Sequence, residues 1–180
     1  WGWSGKEWGY TAPEVVIEYN TNKESIFQMN RISNEPSWLK VAMKEFEKFK
    51  GLKEYQEPLK SKVEEYLGST GLPKKMVSCN TPWCASFVNW CLNQVGIKGA
   101  GAKGFNYLNW GTKLNIPSIG AIAIFKTGHV GFYLGKNPDN TLKILHGNWS
   151  DQIKISSGSS DPIYESQIKE FRYPNINLER

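Results

Sequence analysis

The chain has 180 residues, a formal net charge of +5, and eight each of Trp, Tyr and Phe. That length fits one domain, or one domain with an appendage, and the aromatic content is sufficient for a substantial core. No apolar run approaches the roughly 20 residues of a membrane-spanning helix, and the lysines form no basic, aromatic-rich stripe, so we expect neither stable membrane insertion nor nucleic-acid binding.

The first part of the chain has its own composition. Residues 1–12 hold three Trp and one Tyr among glycines and polar residues. We expect this arm to pack on the domain; stacking on sugars is the alternative. Residues 15–19 and 25–29 predict two short strands around an Asn-Thr-Asn turn. We therefore predict an N-terminal Trp-rich extension with a hairpin over 1–35, and a main domain over 36–180.

Two amphipathic helices follow. A helix-start signal at Pro36 precedes apolar residues at helical spacing, and Gly51 closes this segment. The second helix has the same periodicity from Leu59 to Leu67 and ends at Gly68. Residues 99–104 are rich in glycine and predict a flexible connection, and residues 105–111 predict a short helix or turn.

A third helix, over about 81–95, carries a cysteine near its start. Thr81 is predicted as its N-cap, Pro82 as its first helical residue and Gly96 as its C-terminal stop. Cys84 then lies in the first turn, where the helix dipole and free N–H groups favour a reactive thiolate. The alternative is a buried structural cysteine, since free cysteines are commonly buried.

From residue 119 onward the pattern favours strands. Apolar or alternating segments recur between turn residues, and they lie over 121–125, 129–135, 141–148, 153–156 and 169–173. Helices that precede a meander of strands favour an α+β fold, with N-terminal helices packed on an antiparallel sheet of about five strands.

The chain has two histidines, His129 and His146, and both lie on predicted strands after the cysteine helix. By alternation His129 lies on the face opposite Val130, a face on which the start of the cysteine helix could pack. A thiol nucleophile needs an imidazole to hold its proton, and the imidazole needs a polar group on its other nitrogen. On the last of these strands His146 and Asn148 share a face, so either could be that third group.

Three motifs in this order resemble the CHAP/NlpC-like cysteine amidase and peptidase superfamily, most closely its CHAP-like branch. They are Thr81-Pro82-Trp83-Cys84, Gly128-His129-Val130-Gly131 and Gly147-Asn148. The resemblance covers about residues 36–174. It implies a papain-like fold that cleaves amide bonds in peptidoglycan peptides, with Cys84 as nucleophile, His129 as base, and no metal or organic cofactor.

The third catalytic position matches the family less closely. CHAP enzymes commonly carry an acid followed two residues later by Asn, and these places hold His146 and Asn148 here. NlpC-like enzymes commonly use a second histidine on this strand. The resemblance therefore favours His146 as the orienting group with Asn148 in support, and the reverse stays open. Four residues are candidates for substrate contact: Trp83, Tyr133, Trp149 and Asn80.

The resemblance implies peptidoglycan stem peptides as substrate and a secreted, periplasmic or cell-wall location, while the bond that is cut stays open. If the protein is an effector, an immunity protein is an expected partner. Two alternatives remain: deamidase or transglutaminase chemistry on the same fold, as in secreted toxins, and a non-catalytic wall-binding module. Three cysteines cannot pair fully, and their spacing does not fit zinc. A bridge between Cys79 and Cys84 would abolish the thiolate.

Overall fold

A computed structural model describes residues 35–156 and 158–176. Three α-helices come first: α1 (Ser37–Phe49), α2 (Leu59–Gly68) and α3 (Cys84–Asn93). Short 3₁₀ turns follow α2 and α3, at Lys74–Met76 and Gly104–Asn109. The helices are amphipathic, and their buried residues pack together and against one face of a sheet.

The sheet has six antiparallel strands. They are β1 (Thr112–Leu114), β2 (Ile122–Phe125), β3 (Val130–Lys136), β4 (Leu142–Trp149), β5 (Gln152–Ser156) and β6 (Ile168–Tyr173). Their order across the sheet is β1-β6-β2-β3-β4-β5. Consecutive strands β2 to β5 form a meander, and β6 returns to pair with β2 on the other side.

Alternation along β3 divides the core between the two faces of the sheet. Val130 and Phe132 face the helices, and Phe132 meets Phe87 of α3 edge-on with ring centroids 6.3 Å apart. Tyr133 belongs to a second apolar cluster on the opposite face, where its ring packs on Phe171. Both faces of the central strands are therefore covered, which explains why β2 is apolar at every position.

The predicted α+β class, with helices preceding an antiparallel sheet, is confirmed. The sheet has six strands rather than about five, because β1 was not predicted. That strand has three residues, two of them exposed, so it carries no apolar alternation to reveal it. The predicted hairpin over 15–29 lies outside the described residues, and the division of the chain at residue 35 stays a prediction.

Candidate active site

An open cavity of about 470 Å³ lies where the start of α3 meets the start of β3. This size is typical of small-molecule and peptide-side-chain sites. Cys84, His129 and Asn148 line it together. The remaining lining residues are Pro82, Lys103, Gly104, Phe105, Asn106, Thr127 and Gly128. The fold thus brings three of the four predicted catalytic side chains to one cleft.

Cys84 is the first residue of α3, and Trp83 occupies the N-cap position. The prediction of Thr81 as N-cap was wrong, since its hydroxyl donates to the carbonyl of Met76 at 2.6 Å. Pro82 is not a helical residue either; it lies exposed before the helix and lines the cavity. The first helical turn, with its free N–H groups, therefore begins at the cysteine itself, two residues later than expected.

Burial is the largest influence on the thiol. It raises the pKa of Cys84, while hydrogen bonds from the backbone N–H groups of Val130, Ala85 and Cys84 lower it. Because burial outweighs these donors, the predicted shift toward thiolate is wrong for the free protein. The donation from Val130 also places the β3 backbone, next to His129, directly against the sulfur.

His129 reaches the cavity from the end of its strand. The backbone turns tightly before β3: Gly128 N–H donates to the carbonyl of Phe125, and Phe125 N–H donates to the carbonyl of His129. The expectation that α3 packs on the His129 face of the strand was wrong, because α3 packs on the Val130 face. His129 lies just before β3, so strand alternation does not determine the direction of its side chain.

The two imidazoles are joined directly. His129 Nε2 lies 2.8 Å from His146 Nδ1, and His146 is fully buried. Burial lowers the pKa of His129 to about 4. Burial also lowers the pKa of His146 well below its ordinary value, and the nearby charges of His129 and Lys154 lower it further. Both rings are therefore neutral at neutral pH, and one N–H is shared between them.

Three residues of β3 and β4 allow the helix and the two histidines to pack closely at this site. A Cβ on Gly147 would lie 2.6 Å from the Cβ of Phe87 on α3, so only glycine lets the helix reach β4 there. A Cβ on Gly131 would lie 3.2 Å from His146 Nδ1. Asn148 has a φ of 54°, a left-handed conformation that asparagine tolerates better than most residues. Strand β4 is consequently irregular after His146. Strand alternation therefore no longer places His146 and Asn148 on one face, as the sequence had predicted.

The four residues predicted to touch substrate lie elsewhere. Trp83 is fully buried, stacks on Tyr66 and donates its indole N–H to Glu54 at 2.7 Å, so it is a core residue. Tyr133 is buried on the opposite face of the sheet. Asn80 is exposed and does not line the cavity. Trp149 does not line the cavity either, but stacks on His146.

Sequence reasoning missed the wall formed by the glycine-rich connection. Lys103 and Phe105 both line the cavity and are exposed. A Cβ on Gly104 would lie 1.8 Å from the carbonyl oxygen of Gly128, and one on Gly128 would meet the Phe105 ring at 3.0 Å. These glycines therefore permit close packing rather than flexibility. The missed signal was a glycine directly before Phe105 and another directly before His129.

Cys79, Cys84 and Cys91 are free thiols, which removes the alternative of a bridge to Cys84. Cys91 is fully buried in the helix-side core. Among residues 35–156 and 158–176, no cluster of three or more His, Cys, Asp or Glu could hold a metal ion. Over the same residues, no helix is long and apolar enough to cross a membrane.

A cysteine that begins a helix and a histidine just before a strand line one cavity of an α+β fold with an antiparallel sheet. This arrangement is typical of papain-like cysteine hydrolases. The CHAP domain family matches residues 76–148, a stretch that includes Cys84, His129 and His146. This match supports a CHAP-like cysteine amidase and peptidase assignment for residues 76–148, and proteins of that family generally act on peptidoglycan. A search of curated proteins finds no significant match to the chain.

Proposed function

We propose that this protein is a peptidoglycan hydrolase that cleaves amide bonds of cell-wall peptides through a Cys84–His129–His146 triad. The observation that carries the proposal is the 2.8 Å contact between His129 Nε2 and His146 Nδ1, with His129 and Cys84 lining the same cavity. Because Nε2 is engaged with His146, Nδ1 is the nitrogen of His129 that remains to accept the thiol proton.

The neutral states of Cys84 and His129 determine when the thiol proton is transferred. A raised thiol pKa and a lowered imidazole pKa both oppose an ion pair in the free protein. Proton transfer from Cys84 to His129 therefore accompanies attack of the sulfur on the carbonyl carbon. Backbone N–H groups at the start of α3 stabilise the oxyanion that forms. His129 then gives the proton to the leaving amine, and water releases the acyl group from Cys84.

His146 takes the orienting role in this proposal. With its Nδ1 as acceptor across the 2.8 Å contact, His146 takes the Nε2–H of His129, and this tautomer leaves Nδ1 of His129 free for the thiol. Asn148 lines the cavity from a left-handed backbone position, where its amide can contact substrate or support the pair. The structure supports His146 more strongly, because its ring nitrogen contacts the base directly.

The cleft and the net charge agree with an anionic peptide substrate. Lys103 lines the cavity beside the exposed ring of Phe105, and the chain carries a formal net charge of +5. Stem peptides of peptidoglycan carry carboxylates, which such a surface attracts. The activity places the protein outside the cytoplasmic membrane, where this substrate lies. If it acts on the wall of a competitor, an immunity protein is the expected partner.

The test is digestion of purified peptidoglycan, with mass spectrometry of the soluble fragments. Wild-type protein should release new fragments, and their termini identify the bond. Cys84→Ala should release none, whereas Cys79→Ala, which removes a half-buried thiol outside the cavity, should behave as wild type. Release by Cys84→Ala at the wild-type level would refute the proposal and favour a binding module. Glutamine modification on proteins, without wall fragments, would favour deamidase or transglutaminase chemistry instead.

A further inference from the structure

Trp149 directly follows Asn148, and its ring contacts both imidazoles of the site. We propose that Trp149, held in place by Asp161, is a positioning residue that fixes the ring plane of His146 and through it the tautomer of His129. This inference rests on the proposed Cys84–His129 chemistry. It replaces the substrate-contact role that the sequence suggested for Trp149.

The stack is close and nearly parallel. The rings of His146 and Trp149 have centroids 4.3 Å apart and planes inclined by 14°. The same indole lies 4.9 Å from the ring of His129. Within the part of the chain that the structure describes, His146 Nε2 has no hydrogen-bond partner. A ring held by one hydrogen bond can still turn about its side-chain bond, so the flat contact with Trp149 sets its plane.

A backbone irregularity makes this contact possible. Residues three apart in a regular strand point to opposite faces of the sheet. His146 and Trp149 are three apart, yet their rings stack. The ladder between β4 and β5 shifts between these residues, and Asn148 has a φ of 54°. This irregularity changes the alternation, so that the indole turns back over the buried histidine.

Asp161 holds the other edge of the indole. Trp149 Nε1 donates to Asp161 Oδ2 at 2.7 Å, a short bond to a charged acceptor. The same oxygen lies 3.7 Å from the ammonium of Lys154, which is the cross-strand partner of His146. The carboxylate therefore fixes the indole and offsets the one lysine charge that acts on His146. Asp161, which does not line the cavity, is thus linked through Trp149 to His146 and His129.

The consequence concerns which nitrogen carries the proton. With His146 fixed, its Nδ1 accepts the Nε2–H of His129, and His129 Nδ1 stays free to accept the thiol proton. If the His146 ring turns, a share of His129 carries its proton on Nδ1 and cannot act as base. Loss of the Trp149 ring should therefore lower kcat and leave KM unchanged, because no substrate contact is removed.

The experiment compares Trp149→Leu, Trp149→Phe and Asp161→Ala with Trp110→Leu. Trp110 is a suitable control, because its indole N–H also donates one hydrogen bond, to the carbonyl of Lys98 at 2.8 Å, and its ring also packs on an aromatic neighbour. We expect Trp149→Leu to lower kcat about tenfold or more, with KM within about twofold of wild type. Trp149→Phe, which keeps a stacking ring, should stay within about threefold of wild type, and Asp161→Ala should fall between the two.

Two further readouts do not need a substrate. The alkylation rate of Cys84, followed by peptide mass spectrometry, should fall in Trp149→Leu, while Cys79 in the same sample stays unchanged. Because the chain has two histidines, their ring nitrogens can be followed by ¹⁵N NMR, and His129 should show mixed tautomers in Trp149→Leu. These readouts still decide the proposal if the protein proves inactive on peptidoglycan.

Three results would overturn the inference. A raised KM with unchanged kcat in Trp149→Leu would make Trp149 a substrate contact. An equal loss in Trp149→Leu and Trp110→Leu, in proteins of equal folded fraction, would mean that the loss is a general effect of removing a tryptophan. Unchanged histidine tautomers in Trp149→Leu would show that the His146 plane does not depend on the stack.

Discussion

The partly buried, neutral His129 should make the fold sensitive to acid. Burial lowers its pKa to about 4 in the folded protein, whereas in the unfolded chain the pKa is near 6.5. Below pH 6.5 the unfolded chain therefore takes up a proton that the folded protein refuses, so acid favours unfolding. The stabilisation is complete above about pH 6.5 and is lost as the pH falls toward 4. Between pH 7 and pH 5 this one group should cost about 2 kcal/mol of unfolding free energy.

The assay is urea unfolding at pH 7 and pH 5 for wild type and His129→Gln. Carboxyl groups also titrate near this range, so the quantity that matters is the difference in pH dependence between the two proteins. We expect the variant to lose about 2 kcal/mol less than wild type on going from pH 7 to pH 5. His146→Gln should act in the same direction, since burial also lowers the pKa of His146. Equal pH dependence in all three proteins would refute the picture of two buried, neutral imidazoles.

Three further predictions follow from the site. The acid limb of kcat/KM should lie near pH 4, where His129 becomes protonated; a limb near pH 6.5 would show that this base is not buried. Asn148→Gly should keep the fold, because glycine tolerates the φ of 54°, whereas Asn148→Ala should lose about 1 kcal/mol in urea unfolding; equal stabilities would contradict a conformational role. Gly147→Ala should cost about 1–3 kcal/mol through its clash with Phe87, and Gly68→Ala, which meets no atom within 4 Å, is the matched control.

The sequence predicted the parts of the fold that local patterns control. Apolar residues at helical spacing placed α1 and α2 to within two residues, because an amphipathic helix must bury that face. The meander was visible because β2 to β5 are separated by turn residues. Helix α3 and Cys84 were found through proline, glycine and the apolar run between them. The three-residue strand β1 has no such pattern, since it exists through pairing with β6.

The site was harder to predict, because it depends on where strands end. His129 could be named from its motif, but its direction is set by a turn before β3 rather than by strand alternation. Trp149 was assigned to substrate because no local pattern shows that Asn148 turns left-handed and folds the indole back onto His146. The raised thiol pKa was missed for a related reason. The helix start is visible in sequence, whereas burial by segments far along the chain is not.

The proposed mechanism requires that Cys84 form an acyl intermediate with a peptidoglycan peptide. Intact-protein mass spectrometry after rapid acid quenching of a reaction with soluble peptidoglycan fragments tests it most directly. We expect an adduct in wild type that maps to Cys84, is absent in Cys84→Ala and disappears as hydrolysis is completed. Hydrolysis that proceeds in Cys84→Ala, or an adduct that maps to Cys79 instead, would contradict the account.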